Sequence, residues 1–138
     1  MSGRAAVVFG VANLAAAMLV GAGVFVCLPA RWAPVDLVAG LVTVLELASG
    51  IGLLARARWA TGAARAAGAV TLVVGLALVT TLAVTASWLS GVYGPVGAGG
   101  GIILALVAAL AVPYLVVLPC VELVWIGARP PRGPAREG

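Results

Sequence analysis

Two glutamates and one asparagine are the side chains of this sequence most able to bind an ion or carry a proton. Glu46, Glu122 and Asn13 each interrupt a long apolar stretch. A charged group near the centre of a bilayer costs roughly 2.5–3.5 kcal/mol, so such a side chain faces protein or water rather than lipid. Glu46 lies nine residues from either end of the stretch 37–55. One hypothesis is an ion- or proton-binding carboxyl; the other is a carboxyl that only hydrogen-bonds a neighbouring helix.

The neighbours of Glu46 along a helix favour contact with another helix. Thr43 and Ser49 lie three residues before and after Glu46 and therefore share its face. Ala39 and Gly50 extend the same stripe, which is small and polar. Such a composition allows membrane helices to approach closely and to hydrogen-bond. We therefore include Thr43 and Ser49 in the candidate site.

Glu122 lies close to two prolines. It is seven residues before Arg129, which places it about 10 Å from the end of its apolar stretch. Pro113 and Pro119 each remove a backbone donor, and together they predict a bend or a locally opened helix. One interpretation is a gate or ion site at that bend. The other is that membrane helices tolerate proline and that Glu122 reaches toward the inner interface.

Asn13 is the only amide side chain in the apolar stretches and lies nine residues after Arg4. The same helical rise gives it nearly the depth of Glu46 and Glu122. We therefore predict that these three residues share one polar layer in the inner half of a helical bundle. Small residues recur at close-packing spacing elsewhere, for example Gly68, Thr71 and Gly75.

The apolar stretches that carry these residues are long enough to cross a membrane. The hydrocarbon core is roughly 30 Å thick and needs about 20 helical residues. The chain has 64% apolar and 9% charged residues and a mean hydropathy of +1.23, which excludes a soluble domain. We predict an all-α integral membrane protein with a single four-helix domain over residues 1–126. Its spans are 5–28, 37–55, 66–90 and 102–126, arranged as two helical hairpins, with a glycine-rich flexible loop at 91–101.

The arginines predict the orientation of the chain. Seven of the eight lie at alternate ends of the four spans and therefore on one side of the membrane, and Arg31 lies on the other. Cytoplasmic segments carry the Lys/Arg excess, so both termini are predicted to be cytoplasmic. Residues 127–138 are rich in Arg, Pro and Gly and predict a flexible cytoplasmic tail. The first span is too apolar and too long for a cleaved signal peptide, so we expect it to be retained.

Several classes of function are not expected from these residues. The chain has no histidine, no Ser–base arrangement and no nucleotide fingerprint, so neither an enzyme nor a catalytic residue is predicted. Cys27 and Cys120 differ in depth by about 20 Å, so no metal or cofactor site is expected. The arginines form no stripe interleaved with aromatic residues, and no nucleic-acid partner is expected.

An accessory or structural membrane subunit, acting through helix packing in the bilayer, is the function that these observations favour. The alternative is a proton- or cation-translocating protein that uses Glu46. The expected partners are the lipid bilayer and either further copies of the chain or a larger membrane complex. The use of arginine without lysine is typical of a GC-rich genome and indicates the cytoplasmic membrane of a bacterium.

Overall fold

The computed structural model describes residues 3–27, 29 and 31–128, and its secondary structure over them is entirely helical. Helix α1 (Gly3–Ala22) continues into a π-helical turn (Gly23–Cys27), and α2 (Ala33–Leu54) follows. The remainder consists of α3 (Ala60–Val112), a second π-helical turn (Pro113–Val117) and α4 (Leu118–Gly127). Three stretches of these residues are long and apolar enough to cross a membrane: Gly3–Cys27, Ala33–Leu54 and Ala60–Gly127. The prediction of an all-helical chain with membrane-length apolar helices is confirmed.

Glycines hold α1 and α2 together as an antiparallel pair. A Cβ atom on Gly10 would lie 3.1 Å from the Gly50 carbonyl oxygen, and one on Gly50 would lie 2.9 Å from the Gly10 carbonyl oxygen. The two backbones are therefore in direct contact, and a side chain at either position would push the helices apart. Further along the pair, Gly21 packs against Thr43.

A small apolar cluster lies where the start of α1, the end of α2, the start of α3 and the end of α4 meet. It consists of Phe9, Leu53, Ala60, Ala64 and Ile126, all buried. The connection from α2 to α3 is short, and within it Arg56 has a positive φ of 54°. Trp59, which follows, packs against Gly52.

Helix α3 turns back on itself at Gly94. This residue has φ 54° and ψ −134°, a conformation that suits glycine, and Pro95 follows it. A Cβ atom on Gly101 would lie 3.0 Å from the Ala86 carbonyl oxygen, although fifteen residues of straight helix would separate them by about 22 Å. The parts of α3 before and after Gly94 (its first and second arms) therefore lie side by side.

The first arm of α3 also contacts the two helical segments that follow the second arm. Gly75 lies directly against the backbone carbonyl of Leu115, a carbonyl to which Pro119 cannot donate because it lacks an N–H. Two helical turns earlier, a Cβ atom on Gly68 would lie 3.3 Å from the Leu123 side chain. The first arm of α3 thus packs along the π-helical turn and α4.

The helices extend further than the sequence predicts. α2 begins at Ala33, with Pro34 in its first turn, and α3 begins at Ala60. Residues 91–101, for which we predict a flexible loop, are helical except at Gly94. A helix satisfies its own backbone donors and acceptors, which favours helix up to the turn itself in an apolar environment. The tail over residues 129–138, with its three arginines, and the end of the first span at Leu28 lie outside the described residues.

Large apolar side chains lie mostly on the outside of the molecule. Examples are Val26, Leu37, Val96 and Leu110, each at least 73% exposed. The buried positions are occupied mainly by alanine, glycine and a few polar residues. A soluble monomer does not tolerate an apolar surface of this extent. Together with the length of the helices, this distribution indicates association with a membrane.

Candidate functional site: a buried polar layer

Asn13 joins three helices through one amide group. Its side chain is completely buried on α1, and Nδ2 donates to Ser49 Oγ at 2.7 Å and to Glu122 Oε1 at 3.0 Å. Ser49 belongs to α2 and Glu122 to α4, and both are buried. These two hydrogen bonds connect the beginning, the first third and the end of the described chain.

Glu46 is hydrogen-bonded by a residue of a fourth helical segment, the first arm of α3. Thr71, on the first arm of α3, donates its hydroxyl proton to Glu46 Oε1 at 2.5 Å, and Glu46 is 3% exposed. Because Glu46 and Ser49 are three residues apart on α2, they share a face of that helix. The Thr71–Glu46 pair is thereby joined to the Asn13–Ser49–Glu122 group. We call the five residues Asn13, Glu46, Ser49, Thr71 and Glu122 the polar layer.

Glycines adjacent to the polar layer explain why its side chains meet. Asn13 lies one turn after Gly10, and Ser49 directly precedes Gly50, so the α1–α2 backbone contact brings the two polar side chains together. Thr71 lies between Gly68 and Gly75, the two glycines against which α4 and the second π-helical turn pack. Close backbone approach therefore places each polar group within reach of the next.

The polar layer contains two carboxyl groups and only neutral donors. Its donors are the Asn13 amide and the Ser49 and Thr71 hydroxyls, and no described arginine forms an ion pair with Glu46 or Glu122. Two buried oxygen atoms have no hydrogen-bond partner among the described residues, Asn13 Oδ1 and Glu46 Oε2. Two ionised carboxylates would therefore place two negative charges in the bundle with no positive charge from the layer itself.

The other residues that the sequence singles out lie outside the polar layer. Thr43 is half-buried and donates its hydroxyl to the Ala39 carbonyl oxygen of its own helix at 2.7 Å. Pro113 begins the second π-helical turn, in which Leu118 N–H donates to the Pro113 carbonyl five residues back. Pro119 is buried, and its Cβ lies 3.8 Å from the position of a Cβ on Gly68.

Thr71 is the one member of the polar layer for which the sequence did not predict a polar contact. The spacing of Gly68, Thr71 and Gly75 indicates a packing face, but it does not indicate which carboxyl lies opposite. Its partner is 25 residues away on another helix. The one pattern that marks it is a hydroxyl between two glycines in a stretch that is otherwise apolar.

The chemistry available to the polar layer is hydrogen bonding and the binding of a proton or another cation by oxygen atoms. Comparison of this chain with family models, with curated proteins and with solved structures found no match. Within the described ranges, no group of three or more His, Cys, Asp or Glu side chains is placed to hold a metal ion.

Proposed function

We propose that this chain is a small multi-pass protein of the bacterial cytoplasmic membrane that serves as an accessory or structural subunit. It crosses the bilayer four times, with both termini in the cytoplasm. The side-by-side packing of the two arms of α3 around Gly94 supports the third and fourth crossings. The concentration of arginine at alternate ends of the helices supports the orientation.

The single observation that carries a structural role is the connectivity of the polar layer. Its hydrogen bonds join α1, α2, the first arm of α3 and α4, so each of these four helical segments is tied to another by a buried polar contact. Interhelical hydrogen bonds of this kind contribute about 0.6 kcal/mol each and up to about 1.7 kcal/mol in membrane proteins. The layer therefore also fixes the register of the helices, because a shift of one residue would leave carboxyl groups without donors.

The remaining surface suits attachment to other membrane proteins. Very little of the described chain lies outside the helices, and the outward faces of these helices are apolar. Small residues expose the backbone for close contact at Gly62, Gly91 and Gly99, where an added Cβ would have no described atom from elsewhere in the chain within 4 Å. A second copy or a larger complex packs against such faces without a polar recognition site.

A second function is favoured by one specific observation. Glu46 Oε2 is buried without a donor, and the layer holds two carboxyls without a positive charge. Buried acids in membrane helices mark ion pathways and proton relays. In this alternative the protein translocates protons or monovalent cations, and Glu46 binds the ion.

One experiment separates the two functions. Wild-type protein, Glu46→Gln and Asp36→Asn are reconstituted in liposomes, and proton and Na⁺ flux are measured with entrapped fluorescent indicators. Gln keeps the oxygen that accepts from Thr71 but cannot ionise, and Asp36 is a partly exposed control carboxyl at the start of α2. For a structural subunit we expect flux no greater than that of protein-free liposomes in all three, and co-purification of other membrane proteins or further copies with the tagged chain.

The opposite result has an equally clear form. Flux in the wild type and in Asp36→Asn that is lost in Glu46→Gln would establish the translocating function and overturn the structural one. A chain that purifies from native membranes as a solitary monomer would also contradict the subunit proposal.

A further inference from the structure

An open groove runs along one side of the molecule between the start of α1 and the stretch 113–125. Its volume is about 670 Å³, and its lining includes Arg4, Val8, Phe9, Pro113, Val121 and Trp125. None of the five residues of the polar layer lines this groove. It is a separate feature of the fold.

The walls of the groove are apolar and open toward the outside of the bundle. Val8 is 64% exposed and Val121 is exposed as well, whereas Phe9 is buried at the base. The Phe9 and Trp125 rings contact each other with centroids 6.3 Å apart and planes tilted by 55°. From Pro113 to Trp125 the groove follows twelve helical residues, a length of about 18 Å.

A cationic group and a donor lie at one end of this apolar groove. Arg4 is exposed and forms no ion pair with the acids of the described chain. Trp125 is half-exposed, and an indole N–H is a donor that cannot accept. A guanidinium offers a planar set of N–H donors that matches the oxygens of a phosphate group.

We propose that this groove binds one anionic phospholipid. The phosphate group contacts Arg4, with Trp125 as a further donor, and an acyl chain lies along Val8 and Val121 toward Pro113. Basic pockets beside membrane helices bind acidic lipid headgroups in this way. The apolar part of the groove alone would accept any lipid, so the preference for a negative headgroup comes from Arg4.

The charge at the groove favours an anionic lipid over a helix of another copy. Arg4 is the one charged side chain among the residues that line the groove, so an occupant with a negative group is favoured. A second copy related by two-fold symmetry would also bring its own Arg4 to the same interface, with no acidic lining residue to neutralise either charge.

Lipid retention measures the proposal directly. The protein is purified in mild detergent and mixed with equal amounts of phosphatidylglycerol and phosphatidylcholine, and bound lipid is counted by native mass spectrometry. One basic residue near a headgroup contributes about 1 kcal/mol, so we expect wild-type protein to retain the anionic lipid about fivefold better. Arg4→Gln should bring this ratio close to one.

Two further variants make the result specific to the groove. Arg58 is exposed in the α2–α3 connection and does not line the groove, so Arg58→Gln should keep the wild-type ratio. Val121→Trp fills the apolar part at an exposed position and should lower the retention of both lipids. The proposal is overturned if Arg4→Gln keeps the preference, if Arg58→Gln loses it equally, or if Val121→Trp leaves retention unchanged.

Discussion

The hydroxyl groups of the polar layer and those on the outer part of α3 behave in opposite ways. Thr71 donates to Glu46 on another helix, and Ser49 accepts from Asn13 on another helix. Later in α3, four exposed hydroxyl side chains bond their own helix instead: Thr81, Thr85, Ser87 and Ser90. Each donates to the carbonyl oxygen of the residue four positions earlier, at 2.8–3.0 Å. Residues of the same chemical type thus link helices in one region and only their own backbone in the other.

The neighbours of each hydroxyl explain this difference. Thr71 lies between Gly68 and Gly75, so another backbone approaches its face closely. Thr81 and Thr85 have exposed side chains, and a hydroxyl in an apolar environment with no partner opposite returns to its own helix. Ser90 is closely approached by Gly101, yet it also bonds its own helix, because glycine offers no polar side chain. An interhelical hydrogen bond from a serine or threonine therefore needs both a close neighbour and a polar side chain opposite.

Removing the central amide should have the largest effect on stability. Asn13→Leu eliminates the donors to Ser49 and Glu122 and leaves both oxygen atoms buried. We expect the free energy of unfolding, measured by titration of mixed micelles with dodecyl sulfate, to fall by about 3 kcal/mol. Ala15→Leu places the same side chain on an exposed face of α1 and should change it by less than about 0.5 kcal/mol. Equal values for the two variants would show that the polar layer contributes nothing to stability.

Adding a methyl group at Gly75, which lies against the Leu115 backbone, should have the next largest effect on the free energy of unfolding. Gly75→Ala forces the Leu115 carbonyl away from the first arm of α3, and such overpacking costs about 2 kcal/mol. Gly91→Ala is the control, because a Cβ there has no described atom from elsewhere in the chain within 4 Å and alanine favours helix. The same dodecyl sulfate titration compares them, and a Gly75→Ala protein as stable as Gly91→Ala would mean that this contact is not tight.

The smallest change in stability is expected from removing a single hydroxyl, and it should differ between a hydroxyl that bonds another helix and one that bonds its own helix. Thr71→Val removes the hydrogen bond to Glu46 while keeping the shape of the side chain, and should lower the free energy of unfolding by about 1 kcal/mol. Thr85→Val removes a bond within its own helix at an exposed position and should leave stability unchanged to within about 0.3 kcal/mol. Equal losses would contradict the distinction drawn between the two regions.

The depth of the polar residues follows from counting along the sequence, whereas their pairing does not. Counting from Arg4 and Arg129 gives Asn13 and Glu122 similar depths, and the structure places their side chains 3.0 Å apart. The same face that carries Glu46 and Ser49 also carries Thr43, whose hydroxyl nevertheless bonds within α2. Helical periodicity assigns a residue to a face, but the residue opposite decides whether its hydroxyl bonds another helix, and Thr43 packs against Gly21, which has no side chain to bond.

In the glycine-rich stretch 91–101, the backbone conformation likewise differs from what the sequence predicts. Its composition predicts a flexible loop, yet the structure is helical on both sides of Gly94. Gly97 and Gly101 pack directly against the preceding arm of α3 at Leu89 and Ala86. Here glycine permits close packing of two arms at most positions and a sharp turn at one, and composition alone does not distinguish these uses.

The sequence by itself determined that this chain is helical, that its helices are long and apolar enough for a membrane, and that a few polar side chains are too costly to expose to lipid. These conclusions depend on hydrophobicity and length, which are local properties of the chain. Only the tertiary structure decided that Thr71 faces Glu46, that Asn13 bridges Ser49 and Glu122, and that Gly94 is the turning point of α3. Each of these depends on how closely two backbones approach, and that distance is set by pairs of small residues far apart in the sequence.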